Sequence, residues 1–158
     1  MTDNQQKRLF LLDAYALIFR AYYAFIKNPR VTSKGLNTSA IFGFLLALEE
    51  VIQKQKPTHI AVVFDTPAPT FRHEMYKEYK AHRDETPEDI KKAVPYIKRL
   101  IEAYRIPVID YPGFEADDVI GTLARQASER GFTTYMVTPD KDFAQLVSDN
   151  VFMLKPSR

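Results

Sequence analysis

Short apolar runs of three to five residues recur along the chain, and longer amphipathic segments separate them. The runs cover residues 9–12, 60–64, 107–109, 134–137 and 151–154. Continuous apolar runs of this length are typical of strands that are buried on both faces, as in a parallel sheet. The first two runs end in an aspartate, at Asp13 and Asp65. The pattern predicts five strands, at least two of which end in an acidic residue.

Three of the intervening segments have helical periodicity. Residues 39–55 carry apolar side chains at helical spacing, residues 87–104 follow Thr86 as an N-cap with Pro87 in the first turn, and residues 116–130 end at a glycine. Strands that alternate with helices predict an α/β fold, with a mainly parallel sheet and helices on both faces. Ligands of such sheets usually bind beyond the carboxyl ends of the strands.

Composition narrows the class of protein. The 158 residues, 46% of them hydrophobic, suit one domain with a substantial core. A net charge of +2 neither demands nor excludes a polyanionic partner. The absence of cysteine rules out disulfides, thiolate metal sites and cysteine nucleophiles. No apolar run approaches the roughly 20 residues that span a bilayer, so we expect a soluble, intracellular protein.

Acidic residues fall at or just after the predicted strand ends, or at the start of the helix that follows. They are Asp13, Asp65, Glu115, Asp117, Asp118, Asp140 and Asp142. Carboxylates crowded at one sheet edge repel each other, so either their pKa values rise or divalent cations neutralise them. Oxygen ligands without His or Cys favour Mg²⁺ or Mn²⁺. Two such ions, about 3.5–4 Å apart, serve phosphodiester hydrolysis.

Each acidic motif also has a plainer interpretation. Asp13 alone is typical of a solvated strand end, and the acids at 115–118 and 140–142 sit where capping and the helix dipole favour negative charge. Capping does not predict acids at four separate strand ends, because neither Asp13 nor Asp65 is followed at once by a strong helix-start signal. The whole set therefore favours a metal site over separate caps.

The segment 67–89 interrupts the alternation and interleaves cations with aromatic residues. Its members at spacings of three and four are Arg72, Tyr76, Tyr79, Lys80 and Arg83. A helix would place them on one side, where cations bind phosphates and aromatic rings stack on unpaired bases. The alternative is an amphipathic surface helix whose tyrosines pack on the body of the protein. We interpret the segment as a projection from the sheet.

Other polar residues carry less information. His59, His73 and His82 have no partner at ligand spacing, so we assign them no catalytic role. The turn at residues 33–39 leads into a helix, where its side chains either cap the helix or help it to hold a phosphate.

In order along nearly the whole chain, these motifs resemble the 5′ nuclease domain of bacterial DNA polymerase I, within the flap endonuclease family. The matching motifs are Leu-Leu-Asp13, Val-Val-Phe-Asp65 with Phe-Arg-His beyond it, Tyr-Lys-Ala-His-Arg83, Gly-Phe-Glu115-Ala-Asp-Asp118 and Thr-Pro-Asp140-Lys-Asp142. The resemblance implies a Rossmann-like, PIN-type fold. It also implies two Mg²⁺ or Mn²⁺ ions and hydrolysis of 5′ ends or flaps in DNA and at RNA–DNA primer junctions, during replication and repair.

The resemblance further implies roles for individual residues. Asp13, Asp65, Glu115 and Asp117 would hold one metal ion with Asp118 alongside, and Asp140 and Asp142 would help to hold the second. Segment 67–89 resembles the family's helical arch, in which Lys80 and Arg83 would contact the scissile phosphate region. Within the same segment, Tyr76 would face DNA, Tyr79 would stack on a base and Arg72 would meet DNA at the arch base. Outside it, Phe19 would also stack on a base.

The family's domain normally continues beyond these motifs. A second pair of aspartates and a duplex-gripping helix-hairpin-helix segment usually follow, and in the polymerases so do the proofreading and polymerase domains. We expect residues 1–158 to be the N-terminal PIN-like part, weakly active or inactive alone, monomeric, cytoplasmic and associated with the nucleoid. The main alternative is a non-catalytic nucleic-acid-binding module. A receiver or Toprim domain fits worse, because neither explains both the arch segment and the early aspartates.

Overall fold

A computed structural model of the chain describes residues 6–66 and 86–156. Five strands form one sheet: β1 (Arg8–Asp13), β2 (His59–Phe64), β3 (Val108–Asp110), β4 (Thr133–Val137) and β5 (Val151–Leu154). The helices are α1 (Ala14–Ala24), α2 (Ser39–Glu50), α3 (Glu88–Ala103) and α4 (Ala116–Glu129). A π-helical turn (Val51–Gln55) extends α2, and a 3₁₀ helix (Lys141–Leu146) precedes β5.

The sheet has the order β3-β2-β1-β4-β5, and all four pairings are parallel. The chain runs outward from β1 through β2 to β3, and then returns to place β4 on the other side of β1. The strand order therefore reverses between β1 and β4, which is where open α/β sheets form ligand crevices. The predicted parallel α/β fold is confirmed, and each predicted apolar run contributes to a strand.

Alternate side chains of the strands pack into two cores, one on each face of the sheet. Phe10 and Leu12 of β1 belong to the core that α1, α2 and α3 cover. Leu11 of β1 and Met136 of β4 belong to the other core, beneath α4 and the 3₁₀ helix. Because both faces are covered, the strands are apolar throughout, and polar side chains concentrate where the strands end.

Helix α1 is an element that the sequence pattern does not predict. It begins at Ala14, immediately after Asp13, and Asp13 occupies the N-cap position without a side-chain hydrogen bond of cap geometry. No acidic residue lies in its first turn. Packing stabilises the helix instead: Leu17, Ile18 and Ala21 are buried. Asp13 is thus followed at once by a helix, contrary to the expectation from its flanking residues.

Helices α1 and α2 approach closely at a glycine. A Cβ atom built on Gly43 of α2 would overlap the Cβ atom of Ala21 in α1. Only a residue without a side chain fits at this crossing. The crossing sets the position of α1, whose first residues form part of the cleft described below.

Two local predictions need correction or refinement. Pro87, not Thr86, occupies the N-cap position of α3, and no side chain caps that helix. In the turn before α2, the Ser39 hydroxyl accepts the Arg30 amide at 2.9 Å, and Asn37 Oδ1 accepts the Ser39 amide at 3.0 Å. These polar groups therefore stabilise the turn itself. Among the described helices, none has both the length and the apolar character needed to span a bilayer.

Candidate metal centre

An open cleft of about 770 Å³ lies at the carboxyl ends of the strands, beside the point where the strand order reverses. Six of the seven predicted acids line it: Asp13, Asp65, Glu115, Asp117, Asp140 and Asp142. They come from the ends of β1, β2 and β4 and from the start of α4. The topology therefore brings together carboxylates that are more than a hundred residues apart in the sequence.

The start of α4 carries the densest group of acids. Glu115, Asp117 and Asp118 each offer a carboxylate oxygen, and the three oxygens lie within 4.8 Å of one another. Glu115 and Asp118 also form a capping box, in which the Asp118 carboxylate accepts the Glu115 amide at 3.2 Å. The capping and metal-site interpretations of this motif are thus compatible. Capping fixes the orientation of Asp118 and Glu115 while the group remains close enough to share a cation.

Asp65 joins the end of β2 to this helix start. Its Oδ1 atom accepts the backbone amide of Ala116 at 2.7 Å. The amide belongs to the first turn of α4, where backbone N–H groups lack partners within the helix and favour a negative charge. The bond fixes the Asp65 carboxylate at the start of α4, in the cleft that Glu115 and Asp117 also line.

Asp13 is a buried acid of the cleft, and its pKa is raised. Only 6% of its surface is exposed. Burial raises the pKa of its carboxyl from 3.8 to about 7; the negative charges of Asp65 and Asp140 add to the rise, whereas the Thr138 hydroxyl and, more weakly, the Ala16 amide oppose it. A carboxyl in this state favours either a proton or a cation beside it.

The remaining acids of the cleft, Asp140 and Asp142, follow β4, and a chain of hydrogen bonds connects them to Asp13. The Thr138 hydroxyl donates to Asp13 Oδ2 at 2.9 Å and accepts the Asp140 amide at 3.1 Å. Asp140 Oδ1 in turn accepts the Asp142 amide at 2.9 Å and caps the 3₁₀ helix. Thr138 thereby connects β1 to the β4 turn.

The donor set fits hard divalent cations. The described lining residues of the cleft offer carboxylate oxygens and no histidine or cysteine, which is the ligand chemistry of Mg²⁺, Mn²⁺ or Ca²⁺. Burial raises the pKa of Asp13, and the neighbouring charges of Asp65 and Asp140 raise it further, so a cation beside this carboxylate would be stabilising.

Asp118 is the one predicted acid that does not line the cleft. It lines a neighbouring groove of about 760 Å³ between α4 and the 3₁₀ helix, together with Asp117 and Asp142, which face both spaces.

Tyr15 and Lys91 line the cleft, and Thr138 is buried behind it against Asp13; the sequence pattern assigned a role to none of these three. Tyr15 lies edge-on to Phe64 at a centroid distance of 5.7 Å, and burial followed by the Asp65 charge raises the pKa of its hydroxyl. Among the described residues that line the cleft, Lys91 is the one cation. Only Thr138 carried a signal, since it stands within the motif that ends in Asp140.

Other predicted residues are placed more simply. Phe19 lines the cleft, half-buried, with its ring 6.4 Å from that of Tyr15. His59 begins β2, at the end of the strand remote from Asp65. Arg72, Tyr76, Tyr79, Lys80 and Arg83, with His73 and His82, lie outside the described residues.

Comparison with curated proteins gives strong matches over most of the chain. A 5′-3′ exonuclease of Aquifex aeolicus is 43% identical over 150 residues, which cover 95% of this chain and 51% of that protein. DNA polymerase I of Synechocystis is 48% identical over 143 residues, covering 89% of this chain and 14% of the polymerase. The chain thus spans about half of the first relative and about a seventh of the second.

Comparison with solved structures shows the same fold at lower sequence identity. Bacteriophage T5 5′-exonuclease with bound zinc has a TM-score of 0.68 and 19% identity, over 94% of this chain and 55% of that one. A T5 flap endonuclease in a complex with DNA and metal ions has a TM-score of 0.68 and 20% identity, over 94% and 55%. The likeness confirms the predicted PIN-type α/β fold.

A family profile covers nearly the entire sequence. The profile of the 5′-3′ exonuclease N-terminal, resolvase-like domain matches residues 8–158, a range that includes all five strands and every acid of the cleft. This match agrees with the resemblance that the motifs indicate. The chain belongs to the family of 5′-3′ exonuclease N-terminal, resolvase-like domains.

Proposed function

We propose that this chain is the metal-binding core of a structure-specific 5′-3′ exonuclease or flap endonuclease. The observation that carries the proposal is the convergence of six carboxylates, from three strand ends and one helix start, on a single cleft. The names of the relatives support the direction of cleavage, and their DNA polymerase I members support a role in replication and repair within such a polymerase. Residues 1–158 would be the N-terminal PIN-like part of that longer protein.

Within the cleft we assign the acids to two groups. Asp13, Asp65, Glu115 and Asp117 would hold one divalent ion with Asp118 beside them, and Asp140 and Asp142 would contribute to a second. When bound, such ions supply charge neutralisation at the phosphodiester and activation of a water for in-line attack. The protein's own contribution is to hold the carboxylates in place through the Ala116 amide, the capping box of α4 and the Thr138 hydroxyl.

The cations of the chain would orient the substrate. Lys91 faces the cleft, where a phosphate next to the metal ions would lie within reach of its long side chain. From the sequence resemblance we also assign Lys80 and Arg83 to the scissile phosphate region, Tyr76 and Tyr79 to DNA contacts, and Arg72 to the arch base. Replacement of Lys80 or Arg83 should reduce turnover more than metal affinity.

Phe19 would stack on a base near the cut, since its ring lines the same cleft as the acids. We further propose Mg²⁺ as the metal in the cell, a monomeric state, and a cytoplasmic location at the nucleoid, where the DNA substrates of a bacterial polymerase would be found. The substrates would be 5′ flaps, 5′ ends and RNA–DNA primer junctions.

Cleavage of a 5′-flap DNA by the full-length protein that carries this domain tests the proposal. Asp65→Ala and Asp140→Ala should each abolish Mg²⁺-dependent cleavage while leaving flap binding in Ca²⁺ measurable. Asp149→Ala, which removes an exposed acid outside the cleft, is the matched control and should cleave normally. Undiminished cleavage by both cleft variants would mean that another part of the full-length protein cuts the DNA. It would favour the alternative, in which this domain is a nucleic-acid-binding module whose acids only cap helices.

A further inference from the structure

The residue that follows β4 lies buried directly behind the cleft, in contact with Asp13. Thr138 is fully buried, and its backbone amide donates to the Leu154 carbonyl of β5 at 3.2 Å. The sheet therefore fixes the Thr138 backbone, and its β-branched side chain has few rotamers to choose from. The hydroxyl is held at a defined point between the ends of β1 and β4.

The Thr138 hydroxyl is a hydrogen-bond donor to one acidic residue and an acceptor from another. It donates its one proton to Asp13 Oδ2 at 2.9 Å and accepts the Asp140 amide at 3.1 Å. Through Asp140 the connection reaches the 3₁₀ helix that carries Asp142. The two acids that it joins belong to the two different groups assigned above.

A second buried threonine, within strand β4 itself, provides an internal comparison. Thr134 is also fully buried, but its hydroxyl has no hydrogen-bond partner in the part of the chain that the structure describes. Threonine at position 134 is explained by the preference of β-branched residues for strands. That preference alone does not explain the two hydrogen bonds of Thr138.

We propose that Thr138 is a positioning residue that sets the separation and orientation of the Asp13 and Asp140 carboxylates for metal binding. The inference rests on the proposed function, because it assigns the two acids to adjacent metal ions. Polar groups that orient ligating side chains in this way strongly influence metal affinity. Without the hydroxyl, Asp13 would lose the donor that opposes repulsion by its neighbours, and the turn that carries Asp140 would lose its attachment to β1.

Mn²⁺ binding to the full-length protein without DNA, measured by electron paramagnetic resonance, tests this role. Thr138→Val keeps the side-chain shape and removes the hydroxyl, and it should weaken Mn²⁺ binding at this site by about tenfold or more. Thr138→Ser keeps the hydroxyl and should bind nearly as the wild type does. Thr134→Val is the matched control and should leave the affinity unchanged. The double variant Asp13→Asn/Asp140→Asn, which alters both groups of ligands, gives the background from other Mn²⁺ sites.

Cleavage kinetics supply a second readout that a merely structural role would not produce. In Thr138→Val the rate at low Mn²⁺ should fall and recover at high Mn²⁺, whereas the KM for flap DNA should stay constant. If Thr138→Val does not fold, the comparison between Thr138→Ser and Thr138→Ala decides in its place.

Two results would overturn the inference, and they differ in what else they affect. Equal Mn²⁺ affinity for the wild type and for hydroxyl-free variants at position 138 would refute the role of Thr138 and leave the nuclease proposal intact. No Mn²⁺ binding by the wild type above the background of Asp13→Asn/Asp140→Asn would refute the metal centre itself, and with it the role of Thr138.

Discussion

The buried Asp13 carboxyl should make the metal-free protein less stable as the pH rises. Its pKa is 3.8 in the unfolded chain and about 7 in the folded protein. Well below pH 3.8 both states are protonated, so the carboxyl imposes no cost. Between those two values the unfolded state releases the proton while the folded state keeps it, so the free energy of unfolding falls with rising pH, and it levels off above pH 7.

The size of the effect follows from the separation of the two pKa values. About three pKa units at 1.36 kcal/mol each give roughly 4 kcal/mol at alkaline pH, and linkage places about 2–3 kcal/mol of this between pH 5 and pH 8. Asp13→Asn cannot ionise and should escape this loss. In EDTA, the variant should therefore gain stability over the wild type by that amount as the pH rises from 5 to 8.

Urea unfolding at the two pH values, followed by circular dichroism, measures this difference. Asp149→Asn, at an exposed position outside the cleft, is the control and should follow the wild type at both pH values. Added Mg²⁺ should stabilise the wild type more at pH 8 than at pH 5, because the ion binds the carboxylate, and should stabilise Asp13→Asn much less. A difference between Asp13→Asn and the wild type that does not change from pH 5 to pH 8 would refute the reasoning.

Two further predictions concern the cleft's cation and its supporting helices. Lys91→Ala should raise the KM for flap DNA and reduce the slope of log affinity against log salt by about one, because one phosphate contact is lost. The control Lys92→Ala, at an exposed neighbouring position, should keep the wild-type slope. Salt titrations of DNA binding measure both slopes. Gly43→Ala should destabilise the protein by about 1–3 kcal/mol through overlap with Ala21, whereas Gly121→Ala, whose Cβ would meet only the Leu146 side chain at 3.4 Å, should be tolerated in urea unfolding.

The sequence predicted the elements whose stability has a local signature. Continuous apolar runs marked the buried strands, and the acids at their ends marked the cleft, because parallel topology brings carboxyl ends together. Helix α1 was not predicted because it has no such local signature: it lacks a side-chain cap and first-turn acids. Tertiary packing of Leu17, Ile18 and Ala21 stabilises it instead.

The supporting contacts of the site depend on distances that no local pattern encodes. Thr138 bonds to Asp13 across a sequence separation of 125 residues, and a threonine at a strand end is unremarkable by itself. Lys91 belongs to a helix whose charged residues are mostly solvent-exposed, and only the direction of α3 brings it to the cleft. The capping box of α4, by contrast, could be predicted because its motif is local. Glu115 and Asp118 correctly indicated a helix start, and both also belong to the acidic group.

The reversal of strand order between β1 and β4 has a consequence for the time at which the site can form. Asp13 leaves the ribosome long before its partner Thr138, which follows it by 125 residues. At synthesis rates of about 5–20 residues per second, that interval lasts roughly 6–25 s. During this time β1, β2 and β3 can pair, but one wall of the cleft has not yet been made. A nascent chain therefore cannot assemble the complete cleft until synthesis has passed the turn after β4.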